Sequence, residues 1–350
     1  SQRENVNPIR EQNHRKNSRR YQKRAAARRR RNTIFIVEIV LLLILAVVLF
    51  FMSKLSKIEK TKLDMDKIEV NEDISQESQK IMKGYQTIAM FGLDNRSNGN
   101  LSQGRSDVIM LANINNDTKE VKLVSVYRDT YLDTGDGIFQ KCNAAYAKGG
   151  PEQAISMLNV NLDLNITDYV TVDFNSIIEC VDLLGGVDME ITDDEASLMT
   201  GYIRELNELT GNKAENLTQG GTYTLNGVQA CAYARIRYGG GDDYRRTERQ
   251  RTVLTAMVKK AQQSDLTTVN KLINEVCGDI QTSFSNAELL ALASQVFQYS
   301  IGDTTGFPFT KTTRVLSKKT GDVVIPCDLS DNVKELHIFL YEDSAYTASD

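Results

Sequence analysis

From Tyr85 onward the chain alternates short apolar runs with amphipathic stretches. "YQTIAMFGLD" reads as a strand that stops at Gly92 and Asp94. "SDVIMLANINNDTKEVKLVSVYRD" reads as a hairpin, two apolar runs around a polar turn. Pairing it symmetrically sets Ile114 opposite Val121, Met110 opposite Ser125, Val108 opposite Tyr127 and Asp107 opposite Arg128. "GGPEQAISMLN" starts a helix with Pro151 in its first turn. "DYVTVDFNSIIECVDLLGGVDMEI" reads as strand, helix, Gly-Gly stop, strand. Apolar spacing predicts helices in "DDYRRTERQRTVLTAMVKKAQQ", "NKLINEVCGDI" and "SNAELLALASQVFQYS". "GDTTGF" and "RYGGGDD" read as glycine-rich loops. The first strands are apolar on both faces, and strands alternate with helices. The expected class is therefore α/β, a central mixed β-sheet flanked by helices on both faces. No internal repeat is visible.

Upstream the pattern is different. "TIFIVEIVLLLILAVVLFFM", residues 33–52, is about twenty apolar residues, one bilayer crossing as a helix. Charge changes across it. Of 42 basic and 46 acidic residues, 12 basic and two acidic (Glu4 and Glu11) fall in residues 1–32, a net of +10. The remaining 30 and 44 give the rest a net of −14. The basic arm reads as a topology signal that also touches membrane lipid, with no nucleic acid as partner. The run is longer than a signal-peptide core and lacks a small-residue cleavage site. The expected layout is a basic cytoplasmic tail (1–32), a signal-anchor helix (33–53), an extracellular stalk (54–83), a catalytic domain (84–342) and a C-terminal tail (343–350). The protein is then single-pass in the cell membrane, with its N-terminus in the cytoplasm and its body outside.

The few nucleophiles and ligands narrow the chemistry. Five widely spaced cysteines without a CxxC pair are not a small disulfide framework, and most read as buried thiols. The two histidines, His14 and His337, are too few for a multi-histidine zinc site and argue against a histidine-based hydrolase.

The charged residues at strand ends are more informative. The hairpin register brings Asp107 and Arg128 to one end of the sheet. If the first strand runs parallel to the third, Asp94 and Arg96 join them. Two carboxylates with phosphate oxygens suit Mg²⁺, whereas Asp107 and Arg128 alone could be a rim salt bridge. In the helix of "RRTERQRTVLTAMV", Arg246, Gln250, Val253 and Met257 share one face. An arginine on the core-facing stripe near a helix N-terminus needs an anion: an internal carboxylate, or a bound phosphate. Extended, "YARIRY" would set Arg235 and Arg237 on one side, and guanidinium forks match phosphate geometry.

"FGLDNR", "GRSDVIML", "VSVYRDTYLD", "KCNAAYAKGG", "LNGVQACAYARIR" and "DYRRTERQR" occur here in one order. In this the chain resembles the LytR–CpsA–Psr family of Gram-positive envelope enzymes. The resemblance implies a phosphotransferase that moves a glycan-1-phosphate from a polyprenyl-pyrophosphate carrier to a peptidoglycan hydroxyl, attaching teichoic acid, capsule or another polymer. By motif match Asp94 and Asp107 would hold Mg²⁺, with Mn²⁺ as the alternative ion. Arg128, Arg235, Arg237, Arg246 and Gln250 would clamp the pyrophosphate, with Lys141, Arg96 and Arg105 as further candidates. The lipid tail would lie in an apolar slot between sheet and helices. Two other readings are a hydrolase that releases the same pyrophosphate to water, and a non-catalytic protein that binds or regulates lipid-linked polymers. The acceptor hydroxyl, the general base and the oligomeric state are not legible.

Overall fold

A parallel edge strand, invisible in the sequence pattern, completes the central sheet. The computed structural model describes residues 59–60, 63–93, 101, 104–237, 243–265, 268, 271–272 and 280–349. The chain divides into Ser1–Lys54 and Leu55–Asp350, and all the described residues belong to the second unit. The expected anchor at 33–53 lies outside the described residues, as do Asp94, Arg96, most of "NKLINEVCGDI" and residues 238–242. Among the described residues no helix is long and apolar enough to cross a membrane.

Seven described strands form the main sheet, in the order β1 (Glu59–Lys60), β10 (Ile280–Thr282), β7 (Asp168–Asp173), β2 (Tyr85–Leu93), β3 (Ser106–Asn115), β4 (Glu120–Val126) and β11 (Ser300–Phe307). The sheet is mixed, as expected: β2 and β3 are antiparallel, as are β3 and β4, while β2–β7 and β4–β11 are parallel. Ile114 lies opposite Val121 and Met110 opposite Ser125, the register expected of the hairpin. β2, β4 and β7 therefore all end where β3 begins, and after β4 the chain makes a small hairpin of β5 (Tyr131–Asp133) and β6 (Phe139–Lys141).

"GDTTGF" is not a loop. It forms most of β11 and pairs with β4 from Thr304 to Phe307, after an irregularity at Gly302 and Asp303. The glycine that suggested a loop serves a close approach instead: a Cβ at Gly306 would strike the Tyr127 hydroxyl.

One face of the sheet, including Phe91, Leu111 and Val124, packs on α2 (Ala144–Leu162) and α8 (Leu329–Tyr341). Helix α2 begins upstream of Gly149, and a break at Gly149 and Gly150 lets Pro151 start its longer segment. The other face, with Ile88, Met110 and Leu123, meets Leu254 of α6 (Asp243–Gln263) and Leu289 and Leu292 of α7 (Asn286–Ser294). A third apolar cluster joins α3 (Phe174–Leu183), α4 (Asp193–Thr210), α5 (Gly227–Arg235) and the hairpin of β8 (Val187–Ile191) and β9 (Gly221–Leu225) to Val253 and Met257 of α6.

Both ends of the described body pack onto it. Residues 63–83, assigned above to a stalk, place Ile68, Ile74 and Met82 in the core, and Asn71 bonds to the Val160 carbonyl at 2.8 Å. Helix α1 (Gln76–Met82) belongs to this segment. The expected tail returns as well: Tyr346 is buried and donates to the Asp163 carboxylate. Apolar residues in both segments explain why neither stands off in solvent.

Two stability tests follow from this packing. A Cβ at Gly227 would overlap the Ile178 backbone, where α5 crosses α3. Gly227→Ala is expected to destabilise by about 1–3 kcal/mol in denaturant melts. Gly201→Ala, with open space inside α4, should stabilise by up to about 1 kcal/mol. The second test concerns His337, which stacks on Tyr346 at 3.6 Å and donates Nε2–H to the Leu162 carbonyl at 3.1 Å. Burial holds its imidazole below the ordinary value, against the pull of that bond and of Asp163 and Asp343. Its neutral form is therefore favoured by folding. That contribution is present above about pH 6.5 and is lost as pH falls through the lowered value. His337→Gln should flatten the stability slope on the acid side of neutrality in melts at stepped pH. An unchanged slope would assign it to other groups.

Candidate functional site

The site starts at a defect in the sheet. Gly92 pairs with Val108 and Leu93 with Ser106, so Asp107 is an extra residue in β3. A bulge bends its strand and re-aims the side chain it carries. Here the Asp107 Oδ1 accepts a hydrogen bond from Arg128 Nη1 at 2.8 Å, just beyond the end of β4. Arg128 Nε lies 3.7 Å from Asp243 Oδ1 and 3.8 Å from Asp129 Oδ2. Asp129 in turn holds Lys141 at 3.0 Å.

The helices bring the other charges. Asp173 ends β7 and caps α3 by accepting from Ser176 N at 2.9 Å, which leaves Phe174 at the sheet end. Helix α5 opens with a reciprocal Asn226–Gln229 capping box and runs to Arg235. "YARIRY" is thus helical through Arg235 rather than extended; the turn of the chain at Ile236 is what lets Arg235 and Arg237 reach one cavity. Arg235 Nη2 meets Glu205 Oε1 at 3.3 Å, and its guanidinium carbon lies 5.4 Å from the Phe174 ring centre and 5.8 Å from that of Tyr202. On α6, Arg246 is 4% exposed and ion-paired with Asp243 one turn earlier, while Arg245 is exposed. Gln250, Val253 and Met257 continue the Arg246 face, as the helix phase required. Arg249 ties α6 to Glu195 of α4 at 3.1 Å.

Asp107, Arg128, Phe174, Tyr202, Arg235, Arg237, Arg246 and Gln250 line one pocket of about 310 Å³. Phe174 and Gln250 also line a neighbouring apolar slot, walled by Met90, Val108 and Met110 of the sheet and by Val253, Leu254 and Met257 of α6. A cationic chamber and a greasy one therefore adjoin.

Burial pushes the Arg246 guanidinium down to about 10, against the attraction of Asp243 and with repulsion from Arg128 and Arg237. It remains charged at neutral pH. For Arg128, burial is outweighed by Asp107, Asp243 and Asp129, and the value is raised. Burial raises the Asp243 carboxyl despite Arg246 and Arg128 beside it. Arg128 Nε, Arg246 Nε, Gln250 Oε1 and Asp243 Oδ2 are buried and find no hydrogen-bond partner among the described residues. The two Nε–H donors among them favour a ligand with anionic oxygens.

Six of the residues singled out in the sequence thus meet here: Asp107, Arg128, Arg235, Arg237, Arg246 and Gln250. Lys141 stands one contact away, through Asp129. Arg105 is exposed and does not line the pocket. Asp94 and Arg96 lie outside the described residues. Sequence reasoning missed Asp243, Phe174 and Tyr202. Asp243 was detectable, three residues before Arg246 on the same helix. Neither aromatic residue carries a comparable local signal.

The model of the LytR_cpsA_psr family matches residues 45–314. The polyisoprenyl-teichoic acid–peptidoglycan teichoic acid transferase TagU of Enterococcus faecalis is 30% identical over 210 residues, which are 59% of this chain and 64% of that relative. The match thus spans just under two thirds of the relative's length. The solved structure of TagT bound to LI-WTA superposes with a TM-score of 0.61 at 21% identity, covering 81% of this chain and 98% of that one. TagT with bound octaprenyl pyrophosphate lipid gives 0.57 at 21% identity, covering 80% and 99%. At these identities the two structures establish the fold.

Arg246→Ala is expected to weaken binding of inorganic pyrophosphate by about 10–100-fold in calorimetric titration, the loss of charged hydrogen bonds. Arg245→Ala should change it by no more than about twofold, as a surface substitution. Arg246→Lys, which keeps a partner for Asp243, guards against reading misfolding as lost affinity. Equal losses at 245 and 246 would refute the assignment.

Proposed function

The chain belongs to the LytR_cpsA_psr family, and from that premise we propose that it is a membrane-anchored phosphotransferase. It moves a glycan-1-phosphate from a polyprenyl-pyrophosphate carrier to a peptidoglycan hydroxyl. The single observation that carries this reading is the adjoining of the arginine-lined pocket and the apolar slot through Phe174 and Gln250. A diphosphate bearing a long hydrocarbon tail has that division of character. TagU is named for such a transfer, and one TagT structure holds a polyprenyl pyrophosphate. Residues 33–53 would anchor the chain with its body outside the cell, close to a substrate that cannot leave the bilayer.

In the proposed reaction the acceptor oxygen attacks the phosphorus next to the glycan. The bond from that phosphorus to the bridging oxygen breaks, polyprenyl phosphate leaves, and the acceptor proton passes to a carboxylate or to solvent. Negative charge grows on the leaving phosphate, so positioning and charge stabilisation carry the catalysis. Arg128 and Arg246 would turn their unpartnered Nε–H groups to the diphosphate, with Arg235 and Arg237 at the pocket wall. Asp243 would serve as an internal stand-in for the ligand, holding Arg128 and Arg246 in place in its absence.

Asp107 fits a divalent metal: it is an oxygen donor in a pocket built for phosphate, and one carboxylate oxygen is free of Arg128. Asp94 directly follows Leu93, whose strand partner Ser106 precedes Asp107. Among the described residues no three His, Cys, Asp or Glu side chains cluster as a ligand set. A site with two carboxylates, completed by substrate oxygens, suits Mg²⁺ best, with Mn²⁺ as the alternative. The ion would neutralise diphosphate charge when bound.

The test is full-length protein in lipid discs, given a defined lipid-linked glycan pyrophosphate, Mg²⁺ and peptidoglycan, with products weighed by mass spectrometry. Glycan phosphate joined to the acceptor is the expected product. Release of glycan phosphate to water alone would make the protein a hydrolase. Tight binding without turnover would make it a carrier-binding protein. Arg128→Lys should lose about 10²–10³ in rate, because an ammonium cannot present a fork to two oxygens. Full turnover by the lysine variant would reduce Arg128 to a salt bridge with Asp107. Asp107→Asn and Asp94→Asn should each abolish metal-dependent transfer while leaving the fold intact, and near-wild-type Mg²⁺-dependent turnover in both would remove them from the metal site.

A further inference from the structure

Beyond the pocket, β12 (Lys311–Ser317) and β13 (Gly321–Pro326) form a separate two-stranded hairpin. Its end exposes two large apolar side chains side by side. Val315 is 65% exposed and Leu316 38%, next to one another in sequence. The register shifts between Val315 and Ser317, so Leu316 is unpaired in the ladder. The turn is built without apolar burial: Ser317 Oγ accepts from Thr320 N at 3.0 Å, and Gly321 takes a positive φ of 71°.

The charge of this hairpin runs against that of the rest. Residues 311–326 carry Lys311, Arg314, Lys318 and Lys319 against Asp322 alone, a net of +3. Residues 33–350 together carry a net of −14. Exposed aliphatics beside lysines, on an otherwise acidic body, match a surface that is anionic outside and apolar beneath. A bilayer with acidic headgroups is such a surface.

The hairpin is also rooted at the pocket. Lys311 Nζ sits 4.9 Å from the Tyr127 ring centre and 4.6 Å from that of Tyr244, the residues beside Arg128 and Asp243. Val324 N donates to the Asp129 carbonyl at 2.9 Å, and Thr130 bridges Val324. The family match ends at residue 314, just before the apolar pair.

We propose that the β12–β13 hairpin is a membrane-surface contact, in which Val315 and Leu316 enter the headgroup region of an anionic bilayer while Lys318 and Lys319 pair with its phosphates. It deepens the reading above, since it would hold the pocket end of the sheet against the leaflet that carries the lipid-linked substrate. The contact itself involves no catalytic residue.

The chain contains no tryptophan, so Leu316→Trp supplies a single tryptophan, which can be excited at the red edge of its absorption, apart from the tyrosines. Full-length Leu316→Trp is placed in lipid discs, one chain per disc, made either of phosphatidylcholine or of phosphatidylcholine with phosphatidylglycerol. In the anionic discs its emission should shift to the blue and be quenched by lipids brominated on their acyl chains. Leu209→Trp, on α4 and more exposed at 56% against 38%, should show neither effect. If the chain does not enter discs, the anchor reading fails, and the same two signals are read on adding anionic vesicles to the free protein. Adding Lys318→Glu and Lys319→Glu should weaken the membrane contact by at least about tenfold, from the loss of two surface cations. Emission from position 316 that matches position 209 in anionic lipid would overturn the proposal. A blue shift that depends on protein concentration and not on lipid would also overturn it, in favour of contact between copies.

Discussion

Burying a guanidinium without losing its charge is the constraint on which this sheet end depends. Arg246 is almost wholly out of water, and Arg128 and Arg237 lie close enough to repel it. An isolated buried cation costs several kcal/mol, so such a group survives only with anions set around it. Asp243 and Asp107 are those anions, one from the first turn of α6 and the other from the bulge in β3. Neither is incidental. Asp243 lies one turn from Arg246, where an i,i+3 pair meets. Asp107 reaches Arg128 only because the extra residue in β3 redirects its side chain.

The remaining architecture serves to bring these groups to one end of the sheet. β2, β4 and β7 end where β3 begins, so the chain leaves the sheet three times and enters it once at this end. Helix α6 lies across the opposite side, with Val253 and Met257 in an apolar cluster and Leu254 on the sheet. Its polar beginning and apolar continuation set the two chambers side by side. The close crossing of α5 on α3, allowed by Gly227, puts Arg235 against Phe174 and Tyr202. A change in that crossing would move the arginines of α5 relative to those of α6 before it touched the core.

Periodicity made much of this legible. The hairpin register and the phase of α6 are both local: a turn of known length determines one, and 3.6-residue spacing the other. With them came Asp107, Arg128, Arg246 and Gln250. What sequence reasoning misread depends on partners distant in the chain. β11 looked like a loop because "GDTTGF" is glycine-rich, whereas Gly306 leaves room for the Tyr127 hydroxyl nearly two hundred residues earlier. The segments 63–83 and 343–349 looked like a stalk and a tail because their charge density hid a few buried side chains, Ile68, Ile74 and Tyr346 among them. "YARIRY" admitted a strand by alternation; the Asn226–Gln229 capping box, which favours the helix, was the overlooked local signal. Phe174 and Tyr202 acquire meaning only beside Arg235.

The pairing of arginines with internal carboxylates also bears on how a ligand would bind. If the cations stood unpaired, a diphosphate would gain the whole of their attraction, and binding would be tight in the ground state. Here Asp243 and Asp107 already hold Arg246 and Arg128, so a diphosphate must exchange one set of anionic contacts for another. The net gain is smaller than the number of arginines suggests. What the exchange adds is use of the orphaned Nε–H groups of Arg128 and Arg246, which the carboxylates leave without hydrogen bonds. Those donors are strongest toward an oxygen that is gaining charge, as on a departing phosphate. On the proposed reaction, a site that keeps its cations paired at rest and its best donors unspent would bind substrate modestly and the transition state well. Asp243, with one oxygen against Arg246 and the other without a partner among the described residues, would be the residue through which that balance is set.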